Sequence, residues 1–182
     1  SPDIRQIDGL GGAEPLTSKL AIIGPPSRAD ADVDYTFAQV SYVAPTVDYS
    51  GNCGNISSGV GPFAVDEGLV KVREPFTTVR VHNTNTNSIL VERVQVVDGK
   101  AKVLGDYKIA GVPGTGAGIS IDFSDTAGAK TGKLLPTGNT KDKIQITGLG
   151  ELDVSIVDAA NPMVFVRAKD LGLTGTETPE EI

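Results

Sequence analysis

The sequence carries one cysteine and one histidine in 182 residues. A lone cysteine forbids an internal disulfide and rules out a structural zinc site built on several cysteines. It also argues against a disulfide-dense secreted domain. No apolar run approaches the roughly 18 to 20 residues of a membrane span. No basic, apolar leader opens the chain. Lysine and arginine do not cluster, and the net charge is −7, so neither nucleic acid nor a membrane is expected as a partner. A cytoplasmic protein is expected. An anionic small molecule stays compatible with that charge, because a local site can oppose the global field.

What is present is enough for a packed core. Apolar residues make up 39%, an ordinary globular share, and the length suits one domain with no linker long enough to divide it. The ends read as cut. The chain opens on SPDIRQ with no initiator Met, and Thr178-Pro179-Glu180-Glu181 has the residues of a helix start with no helix after it. A piece of a longer protein is expected.

The rest is organised around residues 48–68, DYSGNCGNISSGVGPFAVDEG. Gly51, Asn52, Gly54 and Asn55 suit a tight polar loop. Ile56, Val60, Phe63, Ala64 and Glu67 then follow helical spacing, the first four forming an apolar face, and Gly68 is a fitting stop. Cys53 is thereby placed at or just before a helix N-terminus, where free N–H groups lower a thiol pKa and hold anions. Gly59, Gly61 and Pro62 are poor helix-interior residues. They suggest a central helix closely packed by strands, kinked or ended at Pro62.

Elsewhere the pattern is β. Residues 4–12 end in a glycine-rich turn. Leu20 to Ile23 reads as a short buried strand bounded by Gly24-Pro25-Pro26, with Thr17, Ser18 and Lys19 at its start. Read alone, Lys19 is a solvated strand end. Further strands are expected over residues 34–43, 77–84, 89–97, 100–103, 119–123, 143–146, 152–157 and 163–166, the last one buried. Asp98-Gly99 is a hairpin signal, and residues 168–171 suit one helical turn. Val79 and Val81 share one face of their strand and Arg80 and His82 the other, so His82 is expected at an exposed position without a role. Short strands with one dominant helix indicate an α+β fold with a mostly antiparallel sheet.

Three apparent ligand motifs fail on spacing. Asp30, Asp32 and Asp34 imitate a calcium loop, but Tyr35 and Ser41 stand where its glycine and final acid belong. Residues 111–118, GVPGTGAG, lack dinucleotide spacing and precede a strand rather than a helix. Residues 128–133, GAKTGK, have three residues between the glycines where a phosphate loop needs four, and Leu134 where Ser or Thr is needed.

Residues 11–23 (GGAEPLTSKLAII), 48–55 (DYSGNCGN) and 156–166 (IVDAANPMVFV) resemble the PrpF family, which includes aconitate, methylaconitate and methylitaconate isomerases and oxalomesaconate tautomerase. The likeness extends through ADADVDYTFAQV, IAGVPGTGAG, LLPTGN and GTETPEE, and these four segments are most similar to oxalomesaconate tautomerase. The resemblance implies a diaminopimelate-epimerase-like fold of two lobes, each a curled, mostly antiparallel sheet around a central helix, with the active site between them. Residues 1–182 resemble the N-terminal lobe without its first strand; the family's Arg-Gly-Gly-Thr-Ser-Lys-like opening and the second lobe are not in this sequence. By the same resemblance, Lys19 and Cys53 are the acid/base residues. Gly54 and Asn55 bind a substrate carboxylate through main-chain amides, and Ser18, Asn52 and Asn161 belong to the substrate site. Met163 stands where related epimerases have His.

The implied reaction moves a proton along an allylic system in an unsaturated tricarboxylate, without cofactor or metal. Its difficulty is the extra negative charge beside existing carboxylates, which fixed N–H donors can offset. Lys19 is expected to handle the proton, with Cys53 assisting or taking the opposite face; which of the two is the base stays open. The competing readings are a non-catalytic carboxylate-binding relative and an amino-acid epimerase or racemase on the same fold.

Overall fold

A computed structural model describes residues 14–182; residues 4–12 and their glycine turn lie outside the described part. The chain forms two compact units, residues 1–126 and 127–182. No helix among the described residues is long and apolar enough to cross a membrane.

Among the described residues, the first unit is a seven-stranded mixed sheet with two short α-helices. Its path runs β1 (Lys19–Gly24), β2 (Val33–Val40), β4 (Phe76–Asn83), β5 (Ser88–Val97), β6 (Lys100–Ala101); β3 (Val47–Asp48) pairs with β2 and β7 (Ser120–Asp122) with β5. Pairing is antiparallel except between β2 and β4. Alternation in β2 and β4 turns Val33, Tyr35, Phe37, Val79 and Val81 to one side, where Leu90, Val94 and Val96 of β5 join them. Asp98 and Gly99 both take positive φ, the conformation that the hairpin signal demands.

The expected single helix is two: α1 (Gly54–Ser57) and α2 (Val60–Asp66). The break at Ser58-Gly59 precedes Pro62, which has no N–H to return to the Ser58 carbonyl. It also resets the helical phase. Val60, Gly61, Ala64 and Val65 face the core, while Phe63, expected there, is 46% exposed. Gly61 is the point of closest approach: a Cβ there would lie 2.5 Å from Glu92 Oε2 and 2.8 Å from Val94 Cγ2.

Two further expectations are corrected in this unit. β1 is not buried: Leu20 and Ile22 are 43% and 50% exposed, because β1 is the sheet's edge. His82 is buried, its Nδ1 2.8 Å from Asp34 Oδ1 and its Nε2 3.0 Å from Asn87 Oδ1. The alternation read correctly that His82 faces away from the valines. The polar cluster covering that face was not visible in it.

The second unit holds a three-stranded antiparallel sheet, β8 (Asp142–Ile146), β9 (Gly150–Asp158) and β10 (Pro162–Val166), with β9 central. A 3-10 turn follows at Ala168–Leu171. Leu152 and Val154 are buried. β10 is exposed along its length, against expectation, for the same reason as β1. The GAKTGK loop does wrap a carboxylate, but one from its own chain. Asp158 Oδ2 accepts the N–H groups of Lys130 (2.9 Å) and Thr131 (2.8 Å) and the Thr131 hydroxyl (2.9 Å). Burial opposes the charge on Asp158, but these donors outweigh it and hold the carboxyl below its ordinary value.

That arrangement fixes a pH dependence. The contribution of Asp158 is complete above the ordinary carboxylate value of about 4 and fades as pH falls through the lower folded value. Asp158→Asn is expected to cost about 2 kcal/mol in urea denaturation at about pH 7, with a smaller cost at about pH 3. Equal costs at both would refute the account.

Candidate active site

Two strand ends and one turn converge beside β2. Lys19 opens β1 and pairs with Gln39 of β2. That register is clamped from outside the strand: Gln39 Nε2 donates to the carbonyls of Ser18 (2.8 Å) and Pro15 (3.0 Å). The turn after β3 carries Cys53 to the N-cap of α1 in an extended conformation. Lys19 Nζ then donates to Cys53 Sγ at 3.3 Å. Both side chains are half-buried. They line a cavity of about 440 Å³ with Phe37, Gln39, Asp48, Ser50 and Asn55.

Cys53 has the character of an activated thiol. Burial pushes its pKa up, but the N–H groups of Ile56 and Asn55 and the Lys19 ammonium outweigh that and hold it below the ordinary thiol range. The sulfur makes no capping hydrogen bond of regular geometry; the two amides act as dipoles aimed at it.

Side-chain amides hold the turn from beneath. Asn52 Oδ1 accepts the Cys53 N–H at 2.8 Å, with Ser57 Oγ and Asn83 Nδ2 each at 3.3 Å. Asn85 imitates a strand neighbour: its Oδ1 accepts the Phe37 N–H, and its Nδ2 donates to the carbonyls of Phe37 (2.9 Å) and Tyr49 (2.8 Å). Asn83 is fully buried and turns its own Oδ1 to the N–H and hydroxyl of Thr86.

Of the residues expected at the site, Lys19, Asn52, Cys53, Gly54 and Asn55 are brought together. Asn52 spends its side-chain oxygen on the turn. Ser18 is buried beside Lys19, its carbonyl accepting from Val40 N–H and Gln39, and is not among the lining residues. Asn161 belongs to the second unit, exposed in the turn between β9 and β10. Gln39, Asp48, Asn83 and Asn85 were missed. Asn83 and Asn85 had a signal: in residues 83–88, NTNTNS, asparagine recurs more often than one turn requires.

The α+β fold that presents this half-buried lysine against a thiol is like that of proline racemases. The fold likeness reaches a probable proline racemase from Agrobacterium radiobacter, with a TM-score of 0.53 over 94% of this chain and 41% of that one, at 15% identity. The chain belongs to the PrpF family, whose model, described as PrpF protein, matches residues 1–182. It is 67% identical to 3-methylitaconate isomerase of Eubacterium barkeri and 49% identical to 4-oxalomesaconate tautomerase of Pseudomonas putida, each over the full chain. The crystal structure of a methylitaconate-delta-isomerase superposes with a TM-score of 0.81 at 67% identity, covering 99% of this chain and 46% of that one. The chain spans about half the length of these relatives: 48% and 49%. Over the whole chain the identity to the methylitaconate enzyme is higher than that to oxalomesaconate tautomerase.

Replacing Lys19 by Met removes the ammonium while leaving the two amides. The Cys53 titration is then expected to move up, slowing alkylation by iodoacetamide at neutral pH by about tenfold for each unit of rise. An unchanged pH profile of alkylation would show that Lys19 does not act on the thiol.

Proposed function

We propose that this chain is the N-terminal lobe of a cofactor-independent, cytoplasmic isomerase that moves a proton along an allylic system in an unsaturated carboxylate. The Lys19–Cys53 contact at 3.3 Å inside an open polar cavity carries this reading. The names of the relatives support it. Methylitaconate bears two carboxylates, where aconitate and oxalomesaconate bear three, so the substrate class is widened from tricarboxylates to di- and tricarboxylates. The rest of the enzyme is a second lobe. The exposed apolar residues of β1 and β10, Leu20, Ile22, Met163, Val164 and Phe165, are surfaces for that missing half.

The chemistry follows from the pair. The Cys53 thiolate takes the proton from the allylic carbon and becomes a thiol. Charge spreads into the adjacent carboxylate, near the N–H groups that open α1 at Gly54 and Asn55. The Lys19 ammonium returns a proton to the carbon two atoms along, and the thiol then reprotonates the amine. Two groups one hydrogen bond apart suit two carbons on one face of a planar system, rather than opposite faces. Among the described residues Lys19 is the one cation lining the cavity, and Asp48 adds an anion. Further positive groups for a polyanion are therefore assigned to the second lobe. Asn161 is kept as a substrate-binding residue from its loop, and Ser18 as support for Lys19.

The test is proton exchange followed by NMR in the full-length enzyme, offering methylitaconate, methylaconitate, aconitate and oxalomesaconate beside proline and diaminopimelate. Lys19→Ala and Cys53→Ala are each expected to lower the rate by about 10² to 10⁴, the usual range for acid/base groups. Wild-type rates in either variant refute the pair. Turnover of the amino acids alone would favour the epimerase alternative, and binding of the acids without exchange the non-catalytic one.

A further inference from the structure

Beneath the two helices lies a polar group that the chemistry above does not use. Glu92 projects from β5 into the apolar core, opposite Val79 of β4, and is fully buried. Its Oε2 accepts the Gly61 N–H at 2.8 Å. Its Oε1 has no hydrogen-bond partner among the described residues. No cation is paired with it among the described residues. A second buried oxygen shares that condition: Tyr35 Oη, on a side chain that is itself fully buried. Ser57 is fully buried, and its hydroxyl donates to the Cys53 carbonyl at 2.8 Å and to Asn52 Oδ1 at 3.3 Å. Glu92 thus holds the first turn of α2, and Ser57 the turn that presents the thiol.

An unpaired carboxylate in such surroundings is costly, and a neutral acid far less so. Burial accordingly raises Glu92 to about 7 against the single amide that opposes it, and Tyr35 to about 12. Gly61 completes the arrangement, because any side chain there would collide with Glu92 Oε2.

Resting on the isomerase reading, we propose that Glu92 is a positioning residue for Cys53, its carboxyl holding the α1–α2 corner through the Gly61 N–H and so keeping the Ile56 and Asn55 amides on the sulfur. It does not touch substrate. Loss of the Glu92 acceptor frees the Gly61 N–H, lets the corner relax and weakens the thiolate.

The experiment reads Cys53 directly, in the full-length protein and without substrate, as the pH profile of iodoacetamide alkylation quantified on its peptide by mass spectrometry. Its outcome therefore does not depend on whether the enzyme is an isomerase. Glu92→Gln, a neutral isostere of the protonated acid, is expected to keep the wild-type profile at and below neutral pH. Glu92→Leu is expected to raise the Cys53 titration by about one unit, which slows alkylation at neutral pH about tenfold. In turnover, Glu92→Leu should lower kcat with KM little changed, and Glu92→Gln should restore kcat. The proposal is overturned if Glu92→Gln shifts the profile as far as Glu92→Leu, or if folded Glu92→Leu keeps the wild-type profile. Loss of turnover with an unshifted thiol profile overturns it as well.

Discussion

The hydrogen bond from the Lys19 ammonium to the Cys53 sulfur is the contact on which the rest of this lobe turns. It joins two residues 34 positions apart in sequence, and neither is placed by its own neighbours alone. The amine is delivered by strand register and the sulfur by a turn that three asparagines brace. In water such a pair would be worth little. Half-burial and two aligned amides make it a stored charge separation, with the thiol already inclined to release its proton.

The supporting layers fall into a hierarchy. The valine-rich face of β2, β4 and β5 fixes where the two helices can lie. Gly61 lets α2 come within reach of a strand. The helices in turn aim amides at the sulfur. Each layer uses ordinary physics: alternation, close approach at glycine, an amide dipole. A cavity of about 440 Å³ remains open to one side, and among the described residues Lys19 is the one cation lining it.

Much of this was legible in the sequence because it is local. Alternating valines, the Asp98-Gly99 hairpin and the glycine and asparagine around Cys53 each announce their conformation within a few residues. What was not legible depends on the third dimension. Phe63 fits the apolar face of an ideal helix, but a missing proline N–H breaks that helix and turns Phe63 outwards. Leu20 and Met163 look like core residues because hydrophobicity does not say which strand is an edge. Lys19 read alone is a solvated lysine; only the family resemblance raised it. Glu92 lies in an alternating strand where nothing marks a buried acid. The GAKTGK loop lacks phosphate-loop spacing, and it wraps Asp158, 25 residues downstream of Lys133.

The clamp at Gln39 has a consequence for how this lobe tolerates change in length. Side chains on an edge strand alternate between faces, so one inserted or deleted residue between Pro15 and Lys19 would send the amine to the far side while leaving the valine core untouched. Such a molecule would still fold and would carry an ordinary, unassisted thiol. The lobe can accept drift at many surface positions, but the spacing of this short segment is fixed by the reach of a single amide side chain.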